Sequence, residues 1–170
     1  MKIKHPGQRV ALLIDVQNLY HSAKHLYKGA KVNFGEILKK AVSDRILIRA
    51  FAYVVRTESG EEKAFFKALK SLGIETRVKK LQVFYGGMKK ADWDVGIAVD
   101  AIRICSSVDT IVLASGDGDF FQVVEYLKNQ GKRVETIAFG KSASSKLKKS
   151  ADEFIDMDKN LKRYLLDYGK

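Results

Sequence analysis

Four aspartates lie beside apolar segments in positions where their carboxylates could bind a cation: Asp15, Asp94, Asp117 and Asp119. Asp15 directly follows the apolar run Val-Ala-Leu-Leu-Ile. Asp117 and Asp119 lie on the glycine loop Ser-Gly-Asp-Gly-Asp that follows the run Thr-Ile-Val-Leu-Ala. Carboxylates that leave water are unfavourable unless they hold a cation or take part in chemistry. Because open parallel sheets bind ligands beyond the carboxyl ends of their strands, we expect these carboxylates to converge on a divalent-cation site.

The apolar pattern alternates between strands and helices along the whole chain. Strands are predicted near 9–15, 46–55, 74–80, 110–115, 133–139 and 153–157. Helices are predicted near 18–28, 34–42, 60–72, 93–106, 119–130 and 158–167. Such alternation predicts right-handed crossovers and a Rossmann-like, three-layer α/β/α sandwich with a central, mostly parallel sheet. The segment 81–91 interrupts the alternation, and its Gly86-Gly87 pair predicts a hairpin or a mobile loop.

The composition indicates one globular domain over residues 1–170, because hydrophobic residues make up 46% of the chain and proline occurs once. No apolar run approaches the ~20 residues that cross a membrane, and no apolar signal region precedes the first strand. We therefore expect no membrane partner. The single cysteine, Cys105, fits a reducing cytoplasm.

Charge is divided unevenly along the chain. Residues 91–127 hold seven acids and one arginine, hence a net charge of −6. Because the whole chain has a net charge of +11, the rest of it carries +17. A basic body around an acidic centre suits an enzyme that cleaves a polyanion, with lysines on the phosphates and carboxylates on a metal ion. The alternative is that the lysines only keep the protein soluble.

Three motifs contain these aspartates: Leu-Ile-Asp15-Val-Gln-Asn18, Lys-Ala-Asp-Trp-Asp94-Val-Gly-Ile-Ala-Val-Asp-Ala and Ser-Gly-Asp117-Gly-Asp119-Phe. Together they resemble the NYN domain of the PIN-like nucleases, and its LabA-like branch in particular. The resemblance covers about residues 9–157. It implies a PIN-like α/β/α sandwich and a Mg²⁺- or Mn²⁺-dependent ribonuclease, a hydrolase of RNA phosphodiester bonds. By matching position it implies a catalytic set of Asp15, Asn18, Asp94, Asp117 and Asp119, with the four aspartates as metal ligands.

Within that set, each residue has an expected role. Asp15 is expected to bridge the metal ions, with Asp94 and Asp117 beside it, and Asp119 to bind directly or through a water molecule. Asn18 would orient a water molecule or a phosphate oxygen by hydrogen bonding. No cluster of histidines and cysteines competes for the metal, which argues against zinc. Crowded carboxylates repel one another, so raised pKa values are expected until a cation neutralises them.

Each feature also has a simpler interpretation. Asp15 could merely cap a loop, and Asp117 and Asp119 could form an Asx turn and a helix cap. For Asp92, the residue two before Asp94, a helix N-cap is the favoured interpretation. Phe84 and Tyr85, in the hairpin segment, could stack on single-stranded RNA or simply pack against the protein.

A second function is open beside the ribonuclease: an RNA-binding or regulatory module whose nuclease site is weak or inactive. A haloacid-dehalogenase-like phosphatase would need an aspartate where Gln17 stands, and a Toprim domain would need a glutamate in place of Asp15. No dinucleotide-binding glycine motif follows the first strand. A homodimer is also open, since the aromatic C-terminal helix could pack on a second copy through Tyr164, Leu165, Leu166 and Tyr168.

Overall fold

The computed structural model describes residues 4–56, 62–87 and 89–169. The strands are β1 (Arg9–Asp15), β2 (Lys31–Val32), β3 (Ile46–Arg56), β4 (Glu75–Lys80), β5 (Gln82–Val83), β6 (Lys89–Lys90), β7 (Thr110–Ala114), β8 (Arg133–Ala138), β9 (Glu153–Asp156) and β10 (Leu165–Leu166). The helices are α1 (Val16–Leu26), α2 (Phe34–Val42), α3 (Glu62–Ser71), α4 (Asp94–Ile104), α5 (Phe121–Asn129), α6 (Ser145–Ser150) and α7 (Leu161–Tyr164). The first residues of the predicted helix 60–72 lie outside the described residues.

The main sheet of the described chain has six strands in the order β4-β3-β1-β7-β8-β9, all parallel. Helices cover both of its faces, so the predicted α/β/α sandwich with a parallel central sheet is confirmed. Alternate residues of the central strand β1 face opposite layers. Leu12 and Ile14 pack with α1 and α2, whereas Ala11 and Leu13 pack with α4 and α5. Burial on both faces explains why this strand is an uninterrupted apolar run.

The direction of the chain across the sheet reverses between β1 and β7. From β1 the chain continues outward to β3 and β4, and it then returns to β7 on the other side of β1. Such a reversal leaves a crevice at the carboxyl edge of the two strands, because their helices lie on opposite faces. Ile14 pairs with Ala114 across this boundary. Asp15 and Ser115, the next residues, therefore emerge side by side at the crevice.

The predicted C-terminal helix 158–167 is wrong. A short 3₁₀ turn (Met157–Asn160) leads into the single helical turn α7, and β10 then pairs antiparallel with β2. Tyr164 and Leu165 are buried in the core, and the backbone N–H of Asn33 donates to the Tyr164 carbonyl at 2.8 Å. The C-terminal segment thus packs largely on its own chain, with Leu166 and Tyr168 partly exposed.

The segment 81–91 forms the predicted hairpin. β5 and β6 pair antiparallel on either side of Gly86 and Gly87. Both glycines have positive φ, 93° and 81°, the backbone region that side chains disfavour and that tight turns use. Among the described residues, no helix has the length and apolar character needed to cross a bilayer.

Candidate metal site

Asp15 lies at the floor of the crevice and is only 6% exposed. It is the N-cap of α1, where Oδ1 accepts a hydrogen bond from the backbone N–H of Asn18 at 3.1 Å. Oδ2 accepts a second one from the Ser115 hydroxyl at 3.1 Å. Burial raises the pKa of Asp15, the two hydrogen bonds oppose that shift, and the charge of Asp117 adds to it. Asp15 therefore caps helix α1 rather than a loop, and it remains a buried acid at the crevice.

The loop after β7 is folded by its own polar groups. The backbone N–H of Asp117 donates to the Ser115 hydroxyl at 3.2 Å. Oδ1 of Asp117 accepts from the backbone N–H of Asp119 at 2.9 Å and caps the 3₁₀ turn Gly118–Phe120. The Asx turn is thus present at Asp117, whereas the helix cap expected at Asp119 is wrong, because α5 begins after Phe120 without a side-chain cap. The turn holds the two carboxylates in a fixed relation to each other.

Asp94 is the first residue of α4 and enters the site from the neighbouring helix. The indole N–H of Trp93 donates to the Val54 carbonyl at 3.0 Å, and its ring packs edge-on against Tyr53 at 5.4 Å. These contacts fix the chain immediately before the helix. The predicted N-cap at Asp92 is wrong, because α4 begins after Trp93 without a side-chain cap. Trp93 anchors the helix instead.

The carboxylates of Asp94, Asp117 and Asp119 come together at the crevice. Each offers one oxygen atom, and the three oxygens all lie within 4.8 Å of one another. Partial burial raises the pKa of Asp94 to about 6, and the negative charges of Asp117, Asp15, Asp92 and Asp119 add to that shift. Asp15 lies next to this acidic triplet but outside it. The pKa values of Asp15 and Asp94 are both raised, in the direction expected from the sequence, but burial contributes more to each shift than the neighbouring carboxylates do.

Asn18 joins helix α1 to the acidic loop. Its side-chain carbonyl accepts a hydrogen bond from the backbone N–H of Gly116 at 2.9 Å. Asn18 therefore lies at the crevice, as its spacing from Asp15 predicts. Because its carbonyl oxygen already accepts this bond, its amide N–H₂ group is the better placed of the two to serve a ligand.

Residues 143–144, which precede α6, also support the acidic loop, and no motif at these positions predicts that contact. The backbone N–H of Ser144 donates to the Gly116 carbonyl at 2.9 Å. A Cβ atom on Gly116 would lie 2.9 Å from the Cα of Ala143, and one on Gly118 would lie 2.7 Å from the Ser144 hydroxyl. The two glycines of the motif are thus needed for close packing against residues 143–144. Their presence was the only available hint of this contact.

Two other groups lie outside the acidic triplet. Asp100 accepts a hydrogen bond from the Tyr53 hydroxyl at 2.9 Å and lies 3.7 Å from Nε of Arg77, which fits a supporting role. His21 and His25 are both exposed on α1, and no cluster with metal-ligand spacing within the described residues includes a histidine.

Together, the parallel sheet, the helical layers and the acidic triplet at the chain reversal define a PIN-like α/β sandwich with an acidic crevice. The chain belongs to the NYN domain family, whose pattern matches residues 9–158. The family predicted from the three motifs is confirmed.

Two relatives are similar over most of their length. The chain is 28% identical over 158 residues to the low amplitude and bright protein LabA of Synechococcus elongatus, covering 88% of this chain and 84% of LabA. It also resembles a crystal structure of a protein of unknown function from Vibrio parahaemolyticus. That structure is 31% identical, with a TM-score of 0.86, over 98% of this chain and all of the other.

Proposed function

We propose that this protein is a divalent-metal-dependent ribonuclease that hydrolyses RNA phosphodiester bonds in the acidic crevice. The observation that carries the proposal is the convergence of Asp94, Asp117 and Asp119, whose oxygens lie within 4.8 Å of one another at the chain reversal of the sheet. Membership of the NYN family supports the same reaction class. Three carboxylates from two separate elements of the fold are a costly arrangement unless a cation neutralises them.

The donor set fits Mg²⁺ or Mn²⁺. All the candidate ligand atoms are carboxylate oxygens, which hard divalent cations prefer, and zinc sites use histidine or cysteine. Asp94, Asp117 and Asp119 would hold the ion, with Asp15 beside them as a fourth ligand. When bound, the ion would supply an activated water and compensate the negative charge that develops on the phosphate.

The remaining residues position these groups. The pKa of Asp94, raised to about 6, means that its proton is lost over a pH range close to neutrality, where a cation would compete with that proton. The Ser115 hydroxyl and the Asn18 backbone hold Asp15 in one orientation. The side-chain N–H₂ of Asn18 would donate to a phosphate oxygen or to the attacking water.

The substrate class follows from charge. The chain outside residues 91–127 carries +17, and that surplus attracts a phosphate backbone. Lys146 lies close to the acidic loop, with its ammonium 3.8 Å from the centre of the Phe121 ring. We place the activity in the cytoplasm, where the single Cys105 would stay reduced.

The test is cleavage of labelled single-stranded RNA with Mn²⁺ or Mg²⁺ by the wild-type protein and by Asp117→Asn. We expect cleavage by the wild type and a loss of at least about 100-fold in the variant, because the substitution removes a metal ligand. Asp44→Asn, an exposed acid in the turn before β3, is the matched control and should cleave like the wild type.

A second readout does not depend on activity. Mn²⁺ should raise the melting temperature of the wild type, because a ligand that binds only the native state stabilises it, and it should raise that of Asp117→Asn much less. If the wild type binds RNA but cleaves it with neither cation, the proposed ribonuclease activity is overturned and the RNA-binding module is favoured.

A further inference from the structure

The strand β4 and the β5–β6 hairpin carry an exposed surface that combines basic and aromatic side chains. We call it the hairpin surface and define it by Lys79, Lys80, Phe84 and Tyr85. Tyr85 is fully exposed and Phe84 is 47% exposed. Neither ring contacts another aromatic ring among the described residues, whereas Trp93 packs against Tyr53. Of the two interpretations offered by the sequence, packing against the protein therefore fails for Tyr85.

The hairpin surface borders an open cleft of about 500 Å³. The cleft is lined by Lys79, Lys80, Gln82, Phe84, Ala91 and Asp92. Its wall is connected to the acidic triplet through Trp93: Nζ of Lys79 donates to the Asp92 carbonyl at 3.1 Å and lies 4.3 Å from the centre of the Trp93 ring. Asp94, the next residue, belongs to the triplet. A ligand in the cleft would therefore lie beside the start of α4, where the candidate metal site begins.

The chemistry of the surface selects one kind of ligand. Ammonium groups bind phosphates of any sequence, and exposed aromatic rings stack on unpaired bases. In a duplex the base faces are already stacked on one another, so they are not available to Phe84 or Tyr85. We infer that the hairpin surface binds single-stranded RNA, with bases stacked on Phe84 and Tyr85 and phosphates paired with Lys79 and Lys80. This inference rests on the proposed ribonuclease function. It adds that the substrate is single-stranded and that it reaches the acidic crevice from the side of the hairpin.

The experiment measures binding without metal, so that it is independent of cleavage. Fluorescence anisotropy in EDTA compares a labelled 12-nucleotide single strand with the same sequence in a duplex. We expect Phe84→Ala/Tyr85→Ala to weaken single-strand binding by at least about tenfold, since one base stacked on an aromatic ring contributes about 1–3 kcal/mol. Tyr85→Trp should retain binding, because an indole also stacks. Tyr126→Ala, which removes an exposed tyrosine from α5, is the matched control and should bind like the wild type.

The phosphate contacts have a separate signature. Lys80→Ala should reduce the salt dependence of binding by about one counterion, whereas Lys39→Ala, on the exposed side of α2, should leave it unchanged. Equal binding of single strand and duplex, or wild-type affinity in the Phe84/Tyr85 double variant, overturns the inference.

Cleavage kinetics with Mn²⁺ then separate the two proposals. If the wild type cleaves RNA and the double variant cleaves with an unchanged KM, the inference fails while the ribonuclease stands. If binding depends on Phe84 and Tyr85 but no cation supports cleavage, the hairpin surface stands as an RNA-binding site while the proposed hydrolysis fails.

Discussion

Asp94→Asn should make the metal-free protein more stable at neutral pH, although it removes a residue of the candidate site. The carboxylate lies within reach of Asp117 and Asp119, and burial together with these charges raises its pKa from 3.8 to about 6. In the folded protein the ionised form of Asp94 is therefore unfavourable relative to the unfolded chain. Asparagine has the same shape and carries no charge, so the substitution removes both the cost of burying a charge and the repulsion, and it keeps the packing.

The sign and the size follow from the shift in pKa. Between pH 3.8 and about 6 the native state binds more protons than the unfolded state, so the free energy of unfolding falls as the pH rises through this window. At about 1.4 kcal/mol per pKa unit the shift sets an upper limit of about 3 kcal/mol. Asp94 is only partly buried, and screening by solvent reduces the expected gain to about 1 kcal/mol. For a chain of this length that gain corresponds to about 2–4 °C in melting temperature.

Thermal unfolding from pH 4 to pH 8 in EDTA measures the effect. The melting temperature of Asp94→Asn should match the wild type near pH 4 and exceed it increasingly up to about pH 7. Asp109→Asn is the contrasting control, because Arg9 binds this carboxylate at 2.8 Å and holds its pKa well below the usual range. Removing that charge should lower the melting temperature, and the loss should be the same at every pH between 5 and 8. A destabilised Asp94→Asn at pH 8, or a gain that is the same at pH 4 and pH 8, would refute the unfavourable ionisation of Asp94 as the cause.

Two further substitutions test close contacts of the fold, one at the acidic loop and one at the opposite edge of the sheet. Gly116→Ala should lower the free energy of unfolding by about 1–3 kcal/mol in urea, because its Cβ would lie 2.9 Å from the backbone of Ala143. Gly35→Ala in α2, where the nearest atom is 3.4 Å away, should be neutral or stabilising by up to about 1 kcal/mol, and equal losses in both variants would contradict the close packing. Arg45→Met should lower the free energy of unfolding by about 1–3 kcal/mol, because the buried Glu135 loses the two hydrogen bonds it accepts from that arginine at 2.9 Å but keeps its ion pairs with Arg133 and Lys4. An unchanged urea midpoint would contradict this expectation.

Much of the sheet could be predicted because its signal is local. The central strands are continuous apolar runs, and each run ends at a polar residue where the chain leaves the sheet. The end of β1 falls at Asp15, as predicted, and β7 ends one residue before its predicted limit. Since Asp15 is the last residue of β1 and Asp117 follows β7 by three residues, predicting the strands also predicted where these two aspartates would lie.

The errors concern elements that depend on contacts distant in the sequence. The start of α4 is fixed by the hydrogen bond between Trp93 and Val54, so the capping preference of Asp92 was overridden. Similarly, the segment predicted as a C-terminal helix is divided between α7 and a two-residue strand, because β2 offers it a partner more than a hundred residues earlier. The contact of Gly116 with residues 143–144 is of the same kind.

The polar contacts of the acidic loop explain how mutually repelling carboxylates can be held together before any cation binds. Asn18 binds the backbone at Gly116, Ser115 connects Asp15 to the N–H of Asp117, and residue 144 contacts the loop from the opposite side. Each bond is made to the backbone or to a hydroxyl, so none neutralises the carboxylates. The loop is therefore fixed in position while its charge is left uncompensated. That combination favours binding of a cation over relaxation of the loop, because moving the aspartates apart would break several hydrogen bonds at once. For the same reason, binding of a divalent ion should restore the stability that repulsion between the carboxylates removes from the metal-free protein.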